Sequence, residues 1–374
     1  MKETKGLNLK LVALVVMFAL VVVVAAMTRL AQQPDPVDVT APIKVGFVFV
    51  GSIGDAGWTF AHDQGRQFLA RELPGVETMF VERVPPGADF VRVVREMIQQ
   101  GATVIFGTSF GYMDFMVDLA QQHPDVKFMH VSGFKVAPNM ATYHGRLEDP
   151  KFLTGMLAGL MTKNNRIGYV APHPIPLVIR GLNAFTLGAR LVNPEATVQV
   201  VWTNVWFDPA KEREAALSLI DAGVDMLGHH QDSPAVQQAA QERGIYAMGM
   251  NSDTRHMAPR ATLASVAWNW GPFYVDVVRS VRDGTWTNAQ HMWPMPDIID
   301  LAPFGDGLVP QTVQERVLAK RQQIIDDKYL VFSGPIKDQA GTVVIPPGVR
   351  METADVLAMY WLVEGVIGTL PVRR

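Results

Sequence analysis

From residue 44 onward, short apolar stretches alternate with helical stretches, and the alternation runs twice. In the first run the expected strands are 45–50, 78–84, 104–107, 127–132 and 141–145, with helices over about 58–73, 88–100 and one ending at 122. In the second run the strands are 166–170, 198–203, 226–229 and 246–250, with helices over 152–162, 177–191, 209–222 and 234–243. Strands separated by helices of this length form parallel βαβ units with right-handed crossovers. The fold class is therefore α/β, as two Rossmann-like lobes with a hinged cleft. The first lobe takes 42–148, with about 269–296 returning to it through a helix at 271–283. The second takes 149–268, and part of 297–374 packs on the lobes. Residues 334–344 read as a hairpin turning near 338–341.

Each strand of such a sheet ends in a turn, and those turns meet in the cleft. The first turn, 51–57, is Gly-rich and carries Asp55, with Trp58 opening the next helix. It contains neither GxGxxG nor GxxxxGK[ST], so no phosphate cradle is expected. Asp55 and Trp58 suit a ligand that accepts stacking and hydrogen bonds; they equally suit a helix cap and a hydrophobic staple. Trp206 holds the corresponding place in the second run, beside Asp208. Two aromatics from opposite lobes can sandwich a flat ring, each face contributing about 1–3 kcal/mol. Asp208-Pro209 reads as a cap followed by Pro at N1. Asp232, before Ser233-Pro234, reads equally as a cap and as a carboxylate presented to a ligand, where it accepts charge-assisted hydrogen bonds. Ser109, Phe110 and Tyr112 follow the third strand and extend the first-lobe wall. Trp268 and Trp270 border the cleft or pack the hinge.

Other chemistries find little support. The 374 residues carry a net charge of −3 with no basic stripe, which argues against nucleic acid as a partner. There is no cysteine, so no disulfide, thiolate metal site or Cys nucleophile is available. His229-His230 would point to opposite faces of a strand and His62-Asp63 is a lone pair, so no metal site is expected. Ser109, His230 and Asp232 make a triad only on paper, with no GxSxG elbow to expose the serine. No cofactor is implied, and the chain is not expected to be an enzyme. At the N-terminus, Lys2, Lys5 and Lys10 precede an uncharged run over 11–27. This is the layout of a signal peptide or membrane anchor, with a Pro-rich linker up to residue 41, so the folded part lies outside the cytoplasm.

The segments Gly54-Asp55-Ala56-Gly57-Trp58, Phe106-Gly107-Thr108-Ser109-Phe110-Gly111, Gly168-Tyr169-Val170, Asn193-Pro194, Trp206-Phe207-Asp208-Pro209 and Gly223-Val224-Asp225 occur in that order. Together they resemble the basic membrane protein (BMP) family of ABC-importer solute receptors, in its purine nucleoside- and purine base-binding, PnrA-like branch, over about 43–369. The resemblance implies the type I periplasmic-binding-protein fold, a purine ligand, and permease and ATPase partners at the inner membrane. It places Trp58 where nucleoside-binding members carry a stacking Phe. Two positions depart on the sugar side: Asn251 stands for an Asp, and Trp268 for a Lys. Losing both partners of a buried diol favours a bare base, adenine foremost, over a nucleoside. The family's lipidated Cys is absent, which leaves residues 11–27 as the candidate anchor to the cytoplasmic membrane.

The expected function is thus an extracytoplasmic receptor for a purine base feeding an ABC importer. Trp58 and Trp206 would sandwich the ring, and Asp55 and Asp232 would read its polar edge. A membrane-tethered purine or nucleoside sensor is the alternative, and a nucleoside-processing enzyme a weaker one.

Overall fold

The computed structural model describes residues 43–371. The N-terminal segment read above as signal or anchor, with its linker, lies outside them. In the first lobe come β1 (Ile43–Val48), α1 (Trp58–Glu72), β2 (Val76–Val81), α2 (Ala88–Gln99), β3 (Ala102–Gly107), α3 (Met113–Gln122), β4 (Lys127–Val131) and β5 (Met140–Gly145). The second lobe follows with α4 (Glu148–Met161), β6 (Arg166–Ala171), α5 (Pro176–Val192), β7 (Thr197–Trp202), α6 (Pro209–Asp221), β8 (Met226–His229), α7 (Ala235–Glu242), β9 (Tyr246–Gly249) and β10 (Thr262–Trp268). Then come α8 (Trp270–Arg282), β11 (Gln290–Trp293), β12 (Ile299–Leu301), α9 (Gln311–Ile325), β13 (Ile336–Lys337), β14 (Val343–Ile345), α10 (Thr353–Leu357) and β15 (Val366–Ile367).

Two sheets result, of strand order β11-β5-β4-β3-β1-β2 and β12-β10-β9-β8-β6-β7-β15. Pairing is parallel throughout except where β12 closes the second sheet against β10. β1 shows why the first sheet forms: Val45, Phe47 and Val48 are fully buried, as a strand covered on both faces must be. Phe47 stacks on Phe106 of β3 at 4.8 Å, and Tyr274 of α8 meets its edge at 5.1 Å. The second lobe is held by α4 against α5. Gly155 lets their backbones touch, since a Cβ there would lie 1.9 Å from the Phe185 carbonyl oxygen. The hairpin expected over 334–344 is present as β13 and β14.

The differences are at edges. β11, β12 and β15 come from a stretch with no regular sequence pattern, and each extends a sheet by two to four residues. α4 starts at Glu148, earlier than its apolar run, because Glu148, Asp149 and Pro150 suit a first helical turn.

Both sheets reverse strand order once, between β1 and β3 in the first and between β6 and β8 in the second. Loops leaving the carboxyl ends of strands at such a switch diverge and open a crevice. The turns after β1, β3 and β8 all lead into the cleft described next.

A candidate ligand cleft between the lobes

Asp55 sits in the turn after β1, buried. Its Oδ1 accepts the backbone N–H of Gly57 (2.8 Å) and Phe60 (2.9 Å), and Oδ2 accepts that of Thr59 (2.9 Å). These are the unpaired amides at the start of α1. Burial raises the carboxyl's pKa while the three amides pull against it. Asp55 therefore caps α1, and it lines a cavity of about 570 Å³ together with Val50, Trp206 and Asp232.

Trp58 follows on the first turn of α1. Its Nε1 donates to the Thr108 carbonyl at 2.8 Å. The rings of His62, Trp270 and Trp268 form a column, with 4.6 Å between successive rings, and Trp58 stands at right angles to all three. A ring pinned in this way can act as a platform without losing rotamer freedom on binding.

A cavity of about 40 Å³ lies between the lobes. From the first lobe Val50, Trp58, Ser109, Phe110 and Ser132 line it; from the second, Leu177, Trp206, His230, Asp232 and Asn251. Six expected site residues are thereby brought together: Trp58, Ser109, Phe110, Trp206, Asp232 and Asn251. Tyr112 is not among them. The short helical turn after Ser109 swings it into the first-lobe core, where it stacks on Phe90 at 4.0 Å and donates to the Val84 carbonyl. Trp268 is also absent from the cavity wall, because its indole lies against Trp270 and donates to Asn251 Oδ1 at 3.1 Å. Ser109, His230 and Asp232 share the cavity, yet no hydrogen bond joins any two of them among the described residues. A relay of nucleophile and base would need such contacts.

On the second lobe, Asp208 caps α6, accepting the Lys211 N–H at 3.1 Å. Asp232 is held differently. Trp268 orients the Asn251 amide, whose Nδ2 donates to Asp232 Oδ1 at 2.9 Å. Burial pushes the Asp232 carboxyl well above the usual carboxylate range, and the charges of Asp55 and Glu212 push the same way. The lobes meet here. Ser252 Oγ donates to the Ala56 carbonyl at 2.5 Å, and a Cβ on Gly57 would lie 2.0 Å from the Asp232 carbonyl oxygen. The structure is thus closed. Its cavity has room for about three waters at ~10–15 Å³ each, so the lobes must part to admit a ring.

Sequence reasoning missed a buried polar group behind this wall. Lys151 of α4 donates to the His229 carbonyl at 2.5 Å, and burial lowers its pKa to about 7. Arg180 of α5 pairs with Glu148 at 3.3 Å and borders a second chamber of about 180 Å³ with His144, Thr142 and Gln290. That chamber shares Phe110, Ser132 and Leu177 with the first. A cation in the middle of an otherwise apolar helical stretch was the available signal for Arg180; Lys151, behind Glu148 and Asp149 at the start of α4, carried none.

A family model described as ABC transporter substrate-binding protein PnrA-like matches residues 43–329. The chain belongs to this family. It is 41% identical over 331 residues to a purine-binding protein of Brucella abortus, covering 88% of this chain and 94% of that one. It is 40% identical over 292 residues to a Haloferax volcanii protein provisionally named a glucose-binding ABC transporter protein, covering 78% and 74%. Among solved structures, an ABC transporter system solute-binding protein of Aeropyrum pernix superposes with a TM-score of 0.65 at 19% identity, covering 79% of this chain and 93% of that one. That likeness speaks for the two-lobed α/β periplasmic-binding fold alone. Among the described residues, no helix is long and apolar enough to cross a membrane.

Proposed function

We propose that this substrate-binding protein is an extracytoplasmic receptor that closes on a purine base, adenine foremost, and hands it to the permease and ATPase of an ABC importer. One observation carries the reading: Trp58 and Trp206 line one cavity from opposite lobes, and Asp232 lines it with them. Flat π-faces above and below with one polar edge suit a heteroaromatic base. The purine-binding relative at 41% identity supports it. Asp232 takes the edge-reading role alone, since the oxygens of Asp55 are engaged by α1. The preference for a base over a nucleoside rests on Asn251, which stands where nucleoside-binding members present a carboxylate to the sugar and whose amide is already engaged by Trp268 and Asp232. The two lobes hinge open where the chain crosses between the sheets, between β5 and α4, between β10 and α8, and between β11 and β12.

The glucose-named relative supports a second reading, because a tryptophan pair also stacks on the C–H faces of a pyranose. Calorimetric titration of ligand-stripped protein with adenine, adenosine and glucose separates them. Adenine should bind at least about tenfold tighter than adenosine, a difference of ~1.4 kcal/mol, with no heat from glucose. Binding of glucose alone would replace the purine reading.

A further inference from the structure

Three acidic side chains converge where the lobes meet: Asp55 from the turn after β1, Glu212 from α6, and Asp232 from the turn after β8. Their surroundings differ. Asp55 accepts three backbone amides. Glu212 accepts the Ser233 hydroxyl and the Asp208 N–H. Asp232 has one partner among the described residues, the Asn251 amide on Oδ1, and its Oδ2 has none. Among the described residues no ion pair reaches it: Arg83 and His173 share the neighbouring cavity with it without pairing, and His230, beside it on the inner wall, is kept neutral by burial and by nearby Lys151. Two acids are thus compensated as anions and the third is not. Like charges converging in a buried site cannot all stay ionised, and the proton goes to the group with least compensation.

Resting on the purine reading above, we infer that Asp232 meets the ligand as a neutral carboxylic acid, donating from Oδ2 and accepting at its other oxygen, and so selects a ring edge that sets an acceptor nitrogen beside an N–H donor. Adenine has such an edge, its amino group flanking a ring nitrogen. A carboxylate would instead favour an edge of two adjacent donors, as guanine presents. Trp268 and Asn251 act as positioning residues: the indole N–H fixes the amide so that its NH₂ faces Oδ1 and leaves Oδ2 turned to the ligand.

The test is calorimetry with adenine on wild type, Asp232→Asn and Asp232→Leu, over a pH range in which adenine keeps its own charge. An amide reproduces the acceptor and donor of a neutral acid, so Asp232→Asn should keep adenine affinity within about threefold. Asp232→Leu should lose about 10- to 100-fold, the cost of leaving the ring's polar edge unpaired. Wild-type affinity should fall by up to about tenfold per pH unit above the pKa of Asp232, and Asp232→Asn should be flat. If Asp232→Asn falls as far as Asp232→Leu while wild type binds, the anion is the reader and the inference is overturned, with the purine reading intact. Full affinity in Asp232→Leu overturns it too. Wild type that binds no adenine overturns both.

Discussion

The two walls of the cleft are built on opposite principles. On the first lobe the acid and the indole are engaged internally: Asp55 caps α1 and the Trp58 indole N–H is bonded to Thr108, which leaves the hydroxyls of Ser109 and Ser132 as the polar groups on that wall. The largest surface this wall turns to the cavity is the aromatic one of Trp58 and Phe110. On the second lobe, the wall keeps uncompensated groups: among the described residues Asp232 Oδ2 has no partner and His230 Nδ1 no hydrogen bond. One lobe supplies a platform that recognises any flat ring; the other distinguishes among rings. Stacking tolerates many ligands and hydrogen bonding does not, so specificity is concentrated on one side of the hinge.

The largest test of this contrast is at the seam. Gly57→Ala would drive a methyl into the Asp232 carbonyl in the closed state, so ligand affinity should fall by at least about 100-fold. The thermal midpoint without ligand should change little, because an open form has space for the methyl. Equal affinity in Gly57→Ala would mean that the closed contact is not needed for binding.

Next in size are the tryptophans. Trp206→Ala and Trp58→Ala should each weaken binding by about 10- to 100-fold, corresponding to 1–3 kcal/mol of stacking. They should differ in stability. Trp58 is locked by Thr108 and three rings, so its loss should also lower the midpoint; Trp206 touches only His173 and His230 among aromatic neighbours and should not. Thermal melts of the two variants side by side decide whether the platform and the reading wall really differ in rigidity.

Protonation probes the buried groups directly. His144 and His229 are pushed down to about 3 and His130 to about 4, each chiefly by burial, from an ordinary 6.5. A histidine with a folded-state pKa below its unfolded one contributes stability that is complete above about 6.5 and lost as pH falls toward the folded value. Denaturant melts should therefore lose up to about 1.4 kcal/mol per pH unit for each such histidine below pH ~6.5. Asp232, raised instead, works in the opposite sense: the stability it contributes is complete below its unfolded value of about 3.9 and is lost as pH rises from there through its folded pKa, and Asp232→Asn should remove that loss. A smaller effect is expected at Trp268→Phe, which removes the indole N–H but keeps the stack; adenine affinity should drop only severalfold. A loss as large as that of Trp206→Ala would make Trp268 a contact residue.

Much of this was legible in the sequence. The fully apolar β1 and the strand–helix spacing specify a parallel sheet because burial on both faces leaves no alternative pattern, and the turns past strand ends bring Trp58 and Trp206 to one place. What was not legible depends on direction rather than position. Tyr112 lies three residues past Ser109 in sequence, but a single helical turn points it inward. Trp268 ends a strand, and only the stack with Trp270 decides which way its ring faces. Asp55 reads equally as a ligand acid and as a cap, and only the three amides of α1 show that it caps. The edge strands β11, β12 and β15 are too short to carry a period of their own, and Lys151 and Arg180 acquire meaning only when α4 and α5 pack together.

The most direct measurement of the central claim is a crystal structure with adenine bound. The account requires the base between Trp58 and Trp206, with ring atoms about 3.5–4.0 Å from at least one indole face and Asp232 Oδ2 within hydrogen-bond distance of a ring nitrogen. A base seated in the chamber beside Arg180, or one that contacts neither tryptophan, would contradict it.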